Sequence, residues 1–184
     1  EAAMASLPTE EQAAVSVASV NGPSSVVVSG SSGAVDAVLE LLGSAGTKGR
    51  RLAVSHAFHS PLIADMGDAF GDLVSSLELS PNEVAVASTV TGRVIPAGSS
   101  ELTQVEHWVR QVTAPVLFAD AMAAALGDKG VTAVLEVGPN PVLSQMARPW
   151  AEQDNSQVVW CASLDQKRGV ADTVAVARAA GQLG

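Results

Sequence analysis

Residues 15–20 alternate small polar and apolar side chains, the two-residue period of a half-buried strand. Asn21-Gly22 follows, and residues 25–29 (SVVVS) form a second such run. An Asn-Gly pair between two runs predicts a hairpin, because both residues tolerate positive φ. The period then changes to that of a helix over residues 34–42, with Val35, Val38, Leu39 and Leu42 on one face and Gly43 as the stop. Residues 50–54 predict a third short strand. The best-defined helix starts at Ser60, a capping residue, with Pro61 at the first helical position. Leu62, Ile63, Met66, Phe70, Leu73, Val74 and Leu77 carry its apolar face. Residues 84–90 predict a strand closed by Thr91-Gly92. Helices are predicted over 102–112 and 119–126, separated by Pro115. A buried strand over 132–137 runs into Gly138-Pro139-Asn140, and a short helix over 142–147 ends before Pro149. A strand over 157–162 and a helix over 170–183 complete the series. The order up to residue 54 suits the later part of a split βαβ sandwich, its opening strand and helix missing or reduced to residues 2–12. The alternation after Ser60 predicts a mainly parallel, covered sheet, so the chain is expected to divide near Ser55.

Composition narrows this to a layered α/β domain. The 184 residues are 47% apolar but only 3% aromatic, so the core must be built of Val, Leu and Ala. A net charge of −9 argues against nucleic acid, whose phosphates need clustered Lys and Arg. The one dense basic spot, residues 48–51, is explained equally well by a solvated strand edge. A single cysteine, Cys161, excludes an intrachain disulfide and suits a reducing, cytoplasmic setting. No apolar run is long enough to span a bilayer, so no membrane partner is expected. The first residues lack the blocks of a signal peptide and an initiator-like start, which suggests a segment from inside a longer polypeptide.

The chemistry concentrates at His56-Ala57-Phe58-His59, a loop between a predicted strand and the capped helix. A histidine near neutral pKa can take a proton from a hydroxyl nucleophile and return it to a leaving thiol. Two satisfied, partly buried histidines would give the same pattern, and His-x-x-His can also ligate zinc. His107 and Cys161 are isolated and lack ligand spacing, so no metal is expected. No Gly-x-Ser-x-Gly elbow occurs, and Gly30-Ser31-Ser32-Gly33 has the wrong spacing. Cys161 lies in an apolar run with no charged neighbour and reads as inert core. The Asp and Glu residues read as solvated charges on helix faces. The residues therefore supply a base without its nucleophile.

In order along the chain, these segments resemble the acyltransferase domain of modular type I polyketide synthases and its relative, malonyl-CoA:acyl carrier protein transacylase. VSVASVNGPSSVVVSG (15–30) resembles the hairpin of that family's small ferredoxin-like subdomain, and RRLAVSHAFHSPL (50–62) its histidine loop. Residues 81–92, HWVRQVTAPVLF (107–118) and VLEVGPNPVL (134–143) resemble later signature segments. The resemblance implies a partial ferredoxin-like small subdomain over 1–55. It also implies the C-terminal part of an α/β-hydrolase-like large subdomain over 56–164 and the start of a linker over 165–184. It implies a Ser–His dyad that takes malonyl from malonyl-CoA as a serine ester. The malonyl group then passes to the phosphopantetheine thiol of an acyl carrier protein, with the ketosynthase and other domains of the synthase as further partners and no bound cofactor. By the same resemblance His59 is the general base, and the Gln111 backbone carbonyl orients its ring. His56, Ala57 and Phe58 line the acyl pocket, and Asn21 contacts substrate. In this family His-Ala-Phe-His goes with malonyl and Tyr-Ala-Ser-His with methylmalonyl. The family's serine, its malonyl-binding arginine and its oxyanion glutamine lie upstream of Val15 and have no match here. The chain alone is thus expected to be inactive; alternatively it is a non-catalytic structural or docking piece.

Overall fold

A computed structural model describes residues 2–127, 130–151 and 157–183. The chain divides into two compact units, Glu1–Ala121 and Met122–Gly184. The division falls inside a helix, whereas the sequence placed boundaries near Ser55 and after residue 164. Backbone bonding accounts for the difference. Val116 N–H donates to the Ala18 carbonyl at 2.9 Å, Val20 N–H to the Val116 carbonyl at 2.9 Å, and Leu117 N–H to the Thr89 carbonyl at 2.8 Å. The segment around Val116 thereby joins residues on either side of Ser55 into one unit.

Two short helices, α1 (Ala2–Ala5) and α2 (Thr9–Ala13), open the first unit. Leu7, between them, is buried with Val15, Ala34 and Val38, and Met4, Val28 and Leu42 pack around this group. The predicted hairpin is present as antiparallel β1 (Val15–Gly22) and β2 (Ser25–Gly30), with register shifts at Val17/Ser19 and Val20/Gly22. Its turn is Pro23–Ser24, not Asn21-Gly22, which remain in β1. Pro23 is preset to the φ of the first turn position, so the reversal moves on by one pair. Helix α3 (Ser32–Ser44) is capped by Ser31, whose side chain accepts from the Ala34 N–H at 3.3 Å.

Residues 50–54 form no strand. A strand exists only with a neighbour, and Arg51 turns to α3 instead, with Nε 2.8 Å from Asp36 Oδ1 and a second nitrogen 2.8 Å from the Ser32 carbonyl. The small part is therefore a hairpin and helices among the described residues. The mixed α/β class expected from the sequence is present.

After the loop, Ser60 starts a 3-10 turn, Pro61–Met66, which runs into α4 (Gly67–Ser75). Antiparallel β3 (Val86–Ser88) and β4 (Arg93–Ile95) follow; the sequence had shown only the first of these. Their connection needs Gly92, at φ +68, where a Cβ would stand 2.8 Å from the Asp120 Cβ. Helix α5 (Val105–Thr113) packs close on α4, since a Cβ on Gly71 would lie 3.2 Å from Val109 Cγ2. Helix α6 (Phe118–Leu126) carries the division between the units.

In the second unit β5 (Ala133–Glu136) and β6 (Val159–Ala162) are parallel, Leu135 facing Cys161. Parallel neighbours need a crossover, and α7 (Val142–Ala151) is part of it. The helix continues through Pro149, past its expected end at residue 147. Helix α8 (Asp172–Leu183) buries Ala175 and Ala179 and lies against β6. A mainly parallel sheet was expected after Ser60; among the described strands only this pair is parallel, with an isolated parallel bridge between Ser19 and Val116 besides. Gly184, the end of the expected linker segment, lies outside the described residues.

Candidate active site

His59 is the one described non-glycine residue with positive φ, at +56. Histidine tolerates this left-handed region better than most side chains, but the conformation still persists only where contacts impose it. Three contacts are present. Ser16 Oγ on β1 donates to the His59 carbonyl at 2.9 Å. The ring Nδ1 lies 3.1 Å from the Ala114 carbonyl. Just beyond the ring, the fully buried Ser60 donates from Oγ to the Ala57 carbonyl at 2.6 Å and accepts from the Leu62 N–H at 3.3 Å. The loop is thereby fixed to the start of the following helix.

The Ala114 contact settles the ring's protonation pattern. A backbone carbonyl only accepts, so Nδ1 carries the proton of this hydrogen bond, and in the neutral ring Nε2 keeps its lone pair. Such a ring can take a proton at Nε2 while Nδ1–H keeps it in place. The Gln111 carbonyl, expected from the resemblance to meet the ring, is not the partner of Nδ1; the Ala114 carbonyl is. Helix α5 ends at Thr113, and Ala114 turns extended at φ −68, ψ 150 ahead of Pro115. That turn aims the Ala114 carbonyl away from the helix. The signal was present: a residue before proline is biased to extended geometry.

The other expected residues are placed as follows. Asn21 Oδ1 accepts from Ser19 Oγ, which also lies 3.3 Å from the Val116 carbonyl. Asn21 and the His59 ring are thus tied to the same short segment, Ala114 to Val116. His56 is exposed, with Nδ1 2.9 Å from Ser55 Oγ, and its ring tilts against Phe58 at a centroid distance of 5.7 Å. Phe58 is 54% exposed, a large apolar side chain without a covering wall among the described residues. Ala57 is half-buried between them. Among the described residues no hydroxyl or thiol hydrogen-bonds the His59 ring, and no three metal-ligating side chains come together. No described helix is long and apolar enough to cross a membrane. Sequence reasoning had no local signal for Ser16, which lies 43 residues from His59.

A second loop, after β5, uses its polar groups differently. Glu136 accepts from the N–H groups of Val142, Leu143 and Ser144 at 3.0, 2.9 and 2.8 Å, closing the N-terminal end of α7. Burial raises its carboxyl pKa, but the hydrogen bonds from Ser144, Leu143 and Val142 outweigh burial and leave it below its ordinary value. Glu136 is thus a helix-capping group, not the solvated charge expected of the chain's acidic residues. Gly138 N–H donates to Ser163 Oγ at 3.0 Å, and Lys167 N–H to Asn140 Oδ1 at 2.9 Å.

Residues 2–183 match the family described as acyl transferase domain. Polyketide synthase GfsB of Streptomyces halstedii is 41% identical over 172 residues, which are 91% of this chain and 3% of that protein. The spectinabilin polyketide synthase system protein NorB of Streptomyces orinoci is 43% identical over 134 residues, 73% of this chain and 6% of that protein. Among solved structures, the acyltransferase domain from the second module of the salinomycin polyketide synthase matches with a TM-score of 0.84 and 37% identity. That match covers 98% of this chain and 40% of the solved one. Malonyl-CoA:acyl carrier protein transacylase from Xanthomonas oryzae matches with a TM-score of 0.70 and 28% identity, over 85% of this chain and 49% of that one. The chain thus spans less than half of either solved relative and a few per cent of the synthases.

Proposed function

This chain belongs to the acyl transferase domain family, and we propose that it forms the histidine-bearing part of a domain that carries malonyl from malonyl-CoA to an acyl carrier protein. The observation that supports this best is the His59 ring, held through Nδ1 at the Ala114 carbonyl with Nε2 left to accept a proton. In this reading a serine from the remainder of the domain gives its hydroxyl proton to His59 Nε2 as its oxygen attacks the malonyl thioester. The C–S bond breaks, His59 returns the proton to the coenzyme A sulfur, and a serine ester remains. The carrier's phosphopantetheine thiol then gives its proton to the same nitrogen and attacks the ester, and the serine regains its proton. Ala114 takes the orienting part that a carboxylate plays in a Ser-His-Asp triad. His56, Ala57 and Phe58 line the acyl pocket, and Asn21 borders it. Residues 1–55 are assigned to the small subdomain, 56–164 to the large one and 165–184 to the start of the following linker. The ketosynthase and other domains of a polyketide synthase are the further partners.

The reading also assigns a malonyl preference, because Phe58 is larger than the serine of Tyr-Ala-Ser-His and would take up space that an added methyl needs. One methyl is worth only about 1–3 kcal/mol, so the choice is switchable. His56→Tyr with Phe58→Ser should relax it in a competition between the two coenzyme A esters. Faster loading of methylmalonyl by the unmodified domain would contradict the assignment.

The deciding experiment is loading of labelled malonyl onto the complete domain. His59→Ala should slow it by about 10² to 10⁴, and His56→Ala should cost less. The opposite ranking would exchange the two roles. The chain by itself, having no Gly-x-Ser-x-Gly, should not become malonylated. A malonyl group mapped to one of its own side chains would refute the absence of a nucleophile.

A further inference from the structure

Strand β1 holds two segments, far apart in sequence, that both bear on His59. Its Ser16 hydroxyl donates to the His59 carbonyl at 2.9 Å. Its Ala18 carbonyl and Val20 N–H bond Val116 on either side, both at 2.9 Å, and so fix the segment whose Ala114 carbonyl meets the ring. One strand thus holds both ends of the same residue.

The backbone end matters because of φ. A φ of +56 is an arrangement that an L-residue leaves unless something retains it. Return to the right-handed region would turn the peptide plane after His59 and carry its carbonyl away from Ser16. It would also redirect the Cα–Cβ bond, and with it the ring. We infer that Ser16 is a positioning residue: its hydroxyl locks the left-handed backbone of His59, and that lock keeps the ring on Ala114 with Nε2 presented. This rests on the reading of His59 as the base. Ser16 touches neither substrate nor the reacting atoms in that scheme.

Two substitutions separate the hydroxyl from the strand. Ser16→Val keeps a good strand former and removes the donor, whereas Ser16→Thr keeps both. In the complete domain Ser16→Val should lower kcat for malonyl loading roughly two- to tenfold, the size of one hydrogen bond, with KM unchanged, and Ser16→Thr should restore it. In this chain the φ-dependent coupling between the His59 amide and α protons, read by NMR, should be that of a left-handed residue. It should shift in Ser16→Val and stay in Ser16→Thr. An unchanged coupling in Ser16→Val would overturn the inference, as would a loss that Ser16→Thr fails to restore. If Ser16→Val does not fold, the Ser16→Ala coupling decides in its place. A shifted coupling with wild-type kcat would also overturn the positioning role, whereas loading that survives His59→Ala would defeat the reading of His59 as the base, an outcome distinct from failure of the lock.

Discussion

The loop through His59 and the loop through Gly138 are built from the same kinds of bond to different ends. Both run into helices, and both are pinned by side chains that bond backbone. After β5 every bond named is committed to shape: Glu136 to three N–H groups, Asn140 to Lys167, Ser163 to Gly138. No backbone strain accompanies this, for the glycine of that loop is not at positive φ. At His59 the pins come from outside the loop, the backbone is left-handed, and one ring nitrogen has no partner among the described residues. A loop whose polar groups are all satisfied is structural. A strained loop that leaves one group free is where chemistry is to be sought.

The largest test of this contrast is at His59. His59→Ala and His59→Asn should both slow loading of the complete domain by about 10² to 10⁴. Asn visits the left-handed region readily, so the Asn variant should be more stable than the Ala variant by up to ~1–2 kcal/mol in denaturant unfolding. Equal stabilities would mean that the backbone conformation carries no strain. Next in size is Glu136→Ala, which uncovers the start of α7. It should cost about 1–2 kcal/mol, as loss of a helix cap does, and that cost should appear in urea unfolding. If loading by the purified, folded variant falls as far as in His59→Ala, the loop after β5 is not merely structural.

The same carboxylate gives a pH dependence. Its folded pKa is lowered, so its contribution is complete above the ordinary glutamate value of about 4.3 and is lost as pH falls through the folded value. The melting temperatures of wild type and Glu136→Ala should therefore differ most near neutrality and converge as pH falls below the ordinary glutamate range. A gap that widened in acid would reverse the assignment. The smallest effect expected is that of Asn140→Ala, about 0.5–1 kcal/mol for one exposed hydrogen bond. A much larger loss would show that the loop depends on that single contact.

What the sequence showed follows the range over which each feature is encoded. Helices α3 and α5 and, from Gly67 on, α4 were legible because their apolar spacing is local, whereas residues 61–66, expected in the same helix as α4, form a 3-10 turn. The Asn21-Gly22 turn was displaced by a neighbour, Pro23, whose fixed φ won. Residues 50–54 have strand-like composition but no ladder, since pairing is a tertiary property, and the short β4 gave too few positions for a period. At the site, His56 to His59 stood out by type and place. Ser16 and Ala114 did not, because a serine in a strand and an alanine before a proline look like many others until the chain brings them to the histidine. Glu136 looks like a surface charge in the sequence for the same reason, its partners lying six to eight residues away.

The central claim is that the His59 ring is kept in one tautomer by the Ala114 carbonyl. Long-range proton–nitrogen NMR of ring-labelled histidine, recorded above the pH at which the ring is neutral, reads this directly. The expected spectrum has a protonated Nδ1 and an unprotonated Nε2 for His59. A proton on Nε2 in the neutral ring would contradict it, for no lone pair would then face the nucleophile.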